Sequence, residues 1–296
     1  MQIKDSIWFF DIDDTLIDTA GSTVDAAEGI YDYFRMNYSE SDALNIKNRF
    51  VEIFQLILAG YRVKSEEDWM QVPGGKVAFD KLMSEIDSRQ LKVKKDFGAI
   101  KKWSREVFIK IAADEFNIKV TPEIIHGATE AHWLRLTEKT EVFPGTLDFF
   151  EFLNSNSCPI YFVTSSDARL KMLPDGQFVY EPIYSEKLKR ERIELLREKG
   201  LNFRFVVIGD PLDKPSVEFF QKAIDLAQQD LKLERFDYSK AVVVGDSIKG
   251  DIETPKDKLH FGLSVQFIKG QEKLVEYDNN YISTGNLSSL IEWLEK

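Results

Sequence analysis

Residues 8–16 read Trp-Phe-Phe-Asp-Ile-Asp-Asp-Thr-Leu. An apolar run stops at three acids and closes on a threonine. A strand can supply the run, and at its end Asp11 and Asp13 can point the same way, because alternate strand residues share a face. Carboxylates clustered at a strand end repel one another unless a counter-charge is present, and oxygen ligands of this kind suit Mg²⁺. A strand running into an acidic turn, with Asp14 or Thr15 capping the next element, accounts for the same residues.

Three later segments carry similar chemistry. Thr164 closes the run Ile160-Tyr161-Phe162-Val163 and is followed by Ser165, Ser166 and Asp167. A hydroxyl at a carboxyl strand end can bond a phosphate oxygen; Ser, Thr and Asp also serve as plain turn and cap residues. Lys214-Pro215-Ser216 precedes an amphipathic pattern. Pro215 fits a first helical turn, which sets Lys214 just ahead of a helix N-terminus, where a cation gains nothing from the dipole. A solvated loop lysine is the plainer reading. Val242-Val243-Val244-Gly245-Asp246-Ser247 ends a run in an acid, with Asp251 five residues on. Asp246 can complete a metal site begun by Asp11 and Asp13, and Asp251 can orient the shell, although a Gly-Asp turn after a strand has the same letters.

The elements that must position these residues are legible as apolar runs. Pro159–Thr164, Phe203–Gly209, Ala241–Gly245 and Leu263–Ile268 are short and almost wholly apolar, as parallel strands covered on both faces are. Helical patterns over Thr146–Asn154, Ser185–Lys199, Ser216–Lys232 and Leu287–Leu294 alternate with them, which argues an α/β fold with an open, doubly wound parallel sheet. Residues 19–141 differ. Helical patterns run over Val24–Phe34, Ala43–Leu58, Gly75–Ile86, Phe97–Phe116 and Pro122–Leu136, with no convincing strand. Thr121-Pro122 is a good start signal for the last of these, and Pro73-Gly74-Gly75 marks a break. The expected organisation is an α/β core domain of residues 1–18 and 142–296, interrupted after its first strand by an all-α domain of residues 19–141.

Composition limits the partners. The 296 residues are 43% hydrophobic and 30% charged, ample for a buried core. With 39 Lys+Arg against 50 Asp+Glu the net charge is −11, a poor prior for nucleic-acid binding. No run of about 18 apolar residues spans a membrane. The N-terminal residues carry no secretory pattern, and Cys158, the single cysteine, can form no internal disulfide and is expected as a buried apolar residue. A cytoplasmic location is expected.

Taken in order, the four segments resemble the haloacid dehalogenase superfamily of phosphohydrolases. Asp11-Ile12-Asp13-Asp14-Thr15 resembles its first motif, Asp-x-Asp-x-Thr. Thr164 falls at the second, Lys214 in Lys-Pro-Ser-Val-Glu-Phe-Phe at the third, and Gly245-Asp246 with Asp251 at the fourth. Phe143-Pro-Gly-Thr-Leu-Asp-Phe-Phe-Glu-Phe-Leu resembles the segment leading from cap to second strand. The resemblance covers 1–18 and 142–296 and implies a Rossmann-like core with the site at the carboxyl strand ends, the insertion being the helical cap. It departs from the family at 167–200, which is longer and more charged, with Lys171–Gln177 expected as a turn in an added excursion. It departs again after Asp251, where Glu-Thr-Pro-Lys-Asp-Lys-Leu-His-Phe-Gly stands in place of an Ala-rich helix.

By that resemblance Asp11 is the nucleophile that forms an aspartyl-phosphate, and Asp13 protonates the leaving oxygen and then serves as base. The cofactor implied is Mg²⁺, held by Asp11, Asp246 and the backbone carbonyl of Asp13. Thr164 and Lys214 bind the transferring oxygens, with Asp251 and Ser165 behind them. The implied function is phosphatase activity on a small phosphorylated metabolite. A phosphomutase using the same chemistry, or a non-catalytic phospho-ligand-binding or scaffold member, are the alternatives. Asp13 argues against a haloacid dehalogenase proper, whose chemistry needs no acid there.

The inserted domain says little about substrate. Arg35, Arg49, Arg62 and Lys64 are candidates to grip an anion, although charges on exposed faces are common. Lys92–Lys95 and Lys101-Lys102 read as a solvated face, and Trp69, Trp103 and Trp133 as packing residues. His126 and His132 lack metal-ligand spacing.

Overall fold

The computed structural model describes residues 3–63, 65–278 and 280–296. The strands are β1 (Ile7–Phe10), β2 (Ile160–Ser165), β3 (Leu170–Met172), β4 (Phe178–Tyr180), β5 (Val206–Gly209), β6 (Ala241–Gly245), β7 (Leu263–Phe267), β8 (Val275–Asp278) and β9 (Tyr281–Thr284). The helices are α1 (Thr19–Asn37), α2 (Glu40–Arg62), α3 (Gly75–Arg89), α4 (Leu91–Phe97), α5 (Arg105–Glu115), α6 (Pro122–Lys139), α7 (Thr146–Ser155), α8 (Pro182–Glu198), α9 (Val217–Asp230) and α10 (Ser289–Leu294). Two compact units result. One comprises Met1–Ala20, Thr140–Ser166 and Glu186–Lys296; the other comprises Gly21–Lys139 and Asp167–Ser185.

The first unit is a doubly wound α/β fold. Its sheet runs β5-β2-β1-β6-β7-β9-β8, parallel throughout except for the β8–β9 pair. β1 and β6 bury every residue, the pattern of central strands covered on both faces. Strand alternation sends Trp8, Phe10, Phe162, Val242 and Val244 to one face, against Phe149, Phe150 and Leu153 of α7 and Ile193 and Leu196 of α8. Ile7, Phe9, Tyr161, Val163 and Val243 go to the other, against Phe219, Phe220, Ala223 and Ile224 of α9. Burying each large apolar side chain contributes roughly 1.5–3 kcal/mol, so the two layers hold β1 and β6, and hence their carboxyl ends, in a rigid frame. The chain leaves and re-enters this unit side by side. Phe143 N–H donates to Leu16 O at 2.9 Å and Asp18 N–H to Glu141 O at 3.2 Å, around an Ile17–Val142 bridge.

Several boundaries differ from the sequence expectation. β5 begins at Val206 rather than Phe203. Ser216 is the N-cap of α9, accepting from Phe219 N–H at 3.0 Å, so Pro215 lies ahead of the helix and not in its first turn. The β8–β9 pair was not expected, because β8 is exposed along its whole length and offers no apolar run to read.

In the second unit α2, α5 and α6 pack around Ile46, Phe50, Ile53, Ile57, Phe108, Ile111, Ala112, Ile125 and Leu136, all buried. Ser39 caps α2, its Oγ accepting from Asp42 N–H at 3.1 Å. The helix expected over Phe97–Phe116 is shorter, α5 alone, and a separate helix, α4, precedes it. α4 stops at Phe97, where Gly98 takes φ 73°, a left-handed end that suits glycine. The Gln90 side chain then holds the turn through Lys101 N–H at 2.8 Å and Lys101 O at 3.0 Å before α5 starts at Arg105. The excursion expected at Lys171–Gln177 is the end of β3 and the turn of the β3–β4 hairpin, with Gly176 at φ 79°. This hairpin belongs with the helical unit, whereas the sequence boundaries put residues 167–185 in the α/β part. The reason is packing: β3 and β4 are short and alternate in burial, and they pair with each other rather than with the main sheet.

Candidate active site

Asp11 follows β1 directly, its N–H donating to Val244 O at 2.9 Å, so the backbones of β1 and β6 register the two acid-bearing strand ends. Asp11 is 5% exposed. Its Oδ2 accepts from Thr15 Oγ1 at 3.0 Å and its Oδ1 from Lys214 Nζ at 2.5 Å. Lys214 Nζ also donates to Asp251 Oδ1 at 2.6 Å. Carboxylate oxygens of Asp11, Asp246 and Asp251 lie within 4.8 Å of one another. Asp246 and Asp251 both share this cluster with Asp11, and Asp251 stands in it rather than behind it.

Local folding explains how Asp251 gets there. Ser247 caps a π-helical turn over Ile248–Ile252, with Ser247 N–H donating to Asp251 Oδ2 at 3.0 Å. π-turns recur at functional sites because they re-aim side chains. Gly245 permits the approach: a Cβ there would stand 2.3 Å from Asp251 Cβ, far inside contact distance.

Asp13 faces different partners. Its Oδ2 accepts from Lys189 Nζ at 2.5 Å, and its Oδ1 from Thr19 Oγ1 at 2.7 Å and Arg192 Nη2 at 3.0 Å. Asp14, at φ 60°, accepts from Ala20 N–H at 2.8 Å, so it does cap the next helix. The acidic turn thus divides its work: Asp14 bonds the start of the next helix, while Asp11 and Asp13 turn to charged side chains. Thr164 is 1% exposed at the end of β2, its Oγ1 3.4 Å from Ser165 O. Ser165 Oγ donates to Asp213 Oδ1 at 2.9 Å, and Lys214 N–H donates to that same oxygen at 2.7 Å. Asp213 therefore ties the end of β2 to the loop that presents Lys214.

The electrostatics separate the acids. Burial, aided by Asp251 and Asp13 and opposed by Lys214, pushes Asp11 up to about 7. Burial, with the charges of Asp11, Asp251 and Asp14, pushes Asp246 up to about 8. For Asp13, burial pushes upward, but Arg192 and Lys189 outweigh it and hold the carboxyl well below its usual range. Burial would lower Lys214, yet Asp11 and Asp251 raise it above its ordinary value, so it stays charged. Asp11 and Asp246 are therefore costly to ionise together. A divalent cation relieves that cost, and an all-carboxylate oxygen set suits a hard cation. The residues present fit a metal.

Sequence reading missed Lys189, Arg192, Thr19 and Asp213, and gave Thr15 as a motif or cap residue rather than as a partner of Asp11. Lys189 and Arg192 lie in the charged stretch Lys-Leu-Lys-Arg-Glu-Arg, which reads as a solvated helix face; only the way α8 packs distinguishes them. In the helical unit, Arg35 pairs with Asp32 at 3.8 Å in the open, Arg49 with Glu115 and Glu52, and Arg62 is exposed. Lys64 lies outside the described residues. His132 is fully buried against the Phe50 and Trp133 rings, and Trp69 and Trp103 pack on Phe79 and Phe54. Sequence reading also missed Arg169, buried and paired with Glu106 at 3.0 Å and with Glu130. Cys158 is buried, as expected.

The chain belongs to the haloacid dehalogenase-like hydrolases, a family it matches over residues 7–257. The fold is shared with solved structures. YfnB from Bacillus subtilis, bound to magnesium, is 14% identical with a TM-score of 0.54, over 98% of this chain and 99% of that one. A haloacid dehalogenase-type phosphatase from Thermococcus onnurineus is 18% identical with a TM-score of 0.50, over 98% and 97%. A 2-haloacid dehalogenase from Pseudomonas syringae pv. Tomato DC3000 is 17% identical with a TM-score of 0.50, over 98% of both chains. No curated protein matches the sequence. Among the described residues, no helix is long and apolar enough to cross a membrane.

Proposed function

We propose that this hydrolase is a Mg²⁺-dependent phosphatase of small phosphorylated metabolites, acting through an aspartyl-phosphate on Asp11, with the helical unit as its cap. One observation carries the reading: Asp11 sits against Lys214 and the Asp246–Asp251 pair at a carboxyl strand end, with a second acid, Asp13, two residues on. Displacing halide needs no acid at position 13; breaking a phosphate ester does, because the alkoxide that leaves must be protonated.

Asp11, Asp246 and the Asp13 carbonyl would hold Mg²⁺, with Asp251 beside them. The ion, when bound, neutralises Asp11 and the phosphate so that one anion can approach the other. Asp11 attacks phosphorus as the ester P–O bond breaks, and Asp13, which takes up a proton once it has left Lys189 and Arg192, gives that proton to the leaving oxygen. Asp13 then takes a proton from water, which attacks phosphorus and frees Asp11 and inorganic phosphate. Lys214 and Thr164 bind the equatorial oxygens, where Lys214 offsets the developing charge.

The test is phosphate release from p-nitrophenyl phosphate and a panel of metabolite phosphates, with and without Mg²⁺, using Asp11→Asn as the control. Mg²⁺-dependent release that the control lacks is expected. No release from any ester counts against the reading, and isomerisation without release favours a mutase.

A further inference from the structure

We infer that Thr19, Lys189 and Arg192 form a second anion site, filled here by the Asp13 carboxylate and taken by a second phosphate or carboxylate of the substrate when Asp13 turns to the leaving oxygen. This deepens the phosphatase reading and rests on it. The geometry is that of an occupied cradle. Both Asp13 oxygens are engaged: Oδ2 by Lys189 Nζ at 2.5 Å, and Oδ1 by Thr19 Oγ1 at 2.7 Å and Arg192 Nη2 at 3.0 Å. Lys189 and Arg192 stand three residues apart on α8 and so share a face. Their side chains are 1% and 7% exposed, against 29% for Asp13. The cations are the built-in wall and the anion is the part that solvent, or a substrate, can reach.

Asp13 cannot both fill this cradle and protonate an ester oxygen. When it leaves, two buried cations lose an anionic partner, and breaking a buried ion pair from one side is strongly unfavourable. A replacement anion removes that penalty. The planar guanidinium of Arg192 with the Lys189 ammonium suits phosphate or carboxylate equally. A monoester of a neutral alcohol has nothing to offer here. A bisphosphate or a phosphorylated acid carries the replacement with it, and its binding energy is spent on freeing Asp13, a step on the way to the transition state.

The experiment compares kcat/KM within matched pairs: fructose 1,6-bisphosphate against fructose 6-phosphate, and 2-phosphoglycolate against ethyl phosphate. The second anion is expected to raise kcat/KM about tenfold or more, the scale of one charge-assisted contact. Arg192→Gln and Lys189→Met should shrink that ratio toward one, mainly by raising KM for the doubly anionic member, with thermal melts confirming folding. Thr19→Val, which removes no charge, should shrink it less. Binding is read separately by calorimetry of fructose 1,6-bisphosphate and fructose 6-phosphate on Asp11→Asn protein with Mg²⁺, alone and combined with Arg192→Gln. Hydrolysis without preference within either pair, or a preference that all three variants keep, overturns the second site and leaves the phosphatase reading standing. No hydrolysis of any ester, but Arg192-dependent binding of the bisphosphate, supports the site and overturns the phosphatase reading instead.

Discussion

Lys214 Nζ lies 2.5 Å from Asp11 Oδ1, joining two residues 203 positions apart in the chain. The same ammonium reaches Asp251 at 2.6 Å. It is thus the cation that balances the acids at the ends of β1 and β6, as well as the group expected to meet the phosphate.

Replacing it separates those acids from their counter-charge. Lys214→Met should lower turnover by about 100-fold or more, the scale of losing one preorganised charge-stabilising donor. Lys214→Arg should recover only part, since a planar fork cannot copy a compact ammonium placed between two carboxylates. Steady-state rates on p-nitrophenyl phosphate decide this. A Lys214→Met enzyme close to wild type would remove Lys214 from the reaction.

The acids divide by role. Asp246→Asn and Asp251→Asn should each raise the Mg²⁺ concentration for half-maximal rate, because both carboxylates belong to the cluster that can hold an ion and a lost hard-cation ligand costs affinity. Asp13→Asn should lower the rate by roughly 100-fold or more with little change in that concentration, since a lost acid–base group costs rate. Mg²⁺ titrations of the three variants provide the comparison. A larger Mg²⁺ shift in Asp13→Asn than in Asp246→Asn would reverse the assignment.

Proton competition should govern the metal. Burial raises Asp11 to about 7 and Asp246 to about 8 from 3.8. What these groups contribute to metal-free stability is complete below the unfolded value and lost as pH rises through about 7 and 8. A cation binds the ionised forms, so its apparent affinity should fall as pH drops below that range, by up to about tenfold per unit for each proton displaced. Melts with and without Mg²⁺ should show a larger stabilisation near pH 8.5 than near pH 6. An equal shift at both would contradict the electrostatics of the cluster.

His132 sets a pH limit on the helical unit. Burial first, then the Arg105 charge, hold it well below its ordinary value. Unfolded chains take up a proton below about pH 6.5 while the folded form stays neutral, so stability falls with pH there by up to about 1.4 kcal/mol per unit. His132→Phe, beside Phe50, should flatten that slope. Denaturant melts of both proteins at pH 7 and pH 5 test it, the difference between them cancelling the carboxylate background. Parallel losses in the two proteins would absolve His132.

Much of this protein was legible before folding. Runs such as Val242–Gly245 can be buried on both faces only in a covered parallel sheet, so they announced the core strands. Acids or hydroxyls at the ends of these runs announced Asp11, Asp13, Thr164 and Asp246. The α/β class and the insertion after β1 followed from alternation and helical period, which are local properties; the strand order β5-β2-β1-β6-β7-β9-β8 did not, because it is set by which distant segments pair. The β3–β4 hairpin and the exposed β8 were not legible, because strands that short take their structure from their partners. Nor were Lys189 and Arg192, which look like any charged helix face until the packing of α8 buries them against Asp13. Tertiary structure alone moved Asp251 into the acid cluster, since a π-turn and the missing side chain of Gly245 bring it there. Sequence determines which groups can ionise; which of them share one buried space, and therefore how each is charged, is decided only when distant segments pack together.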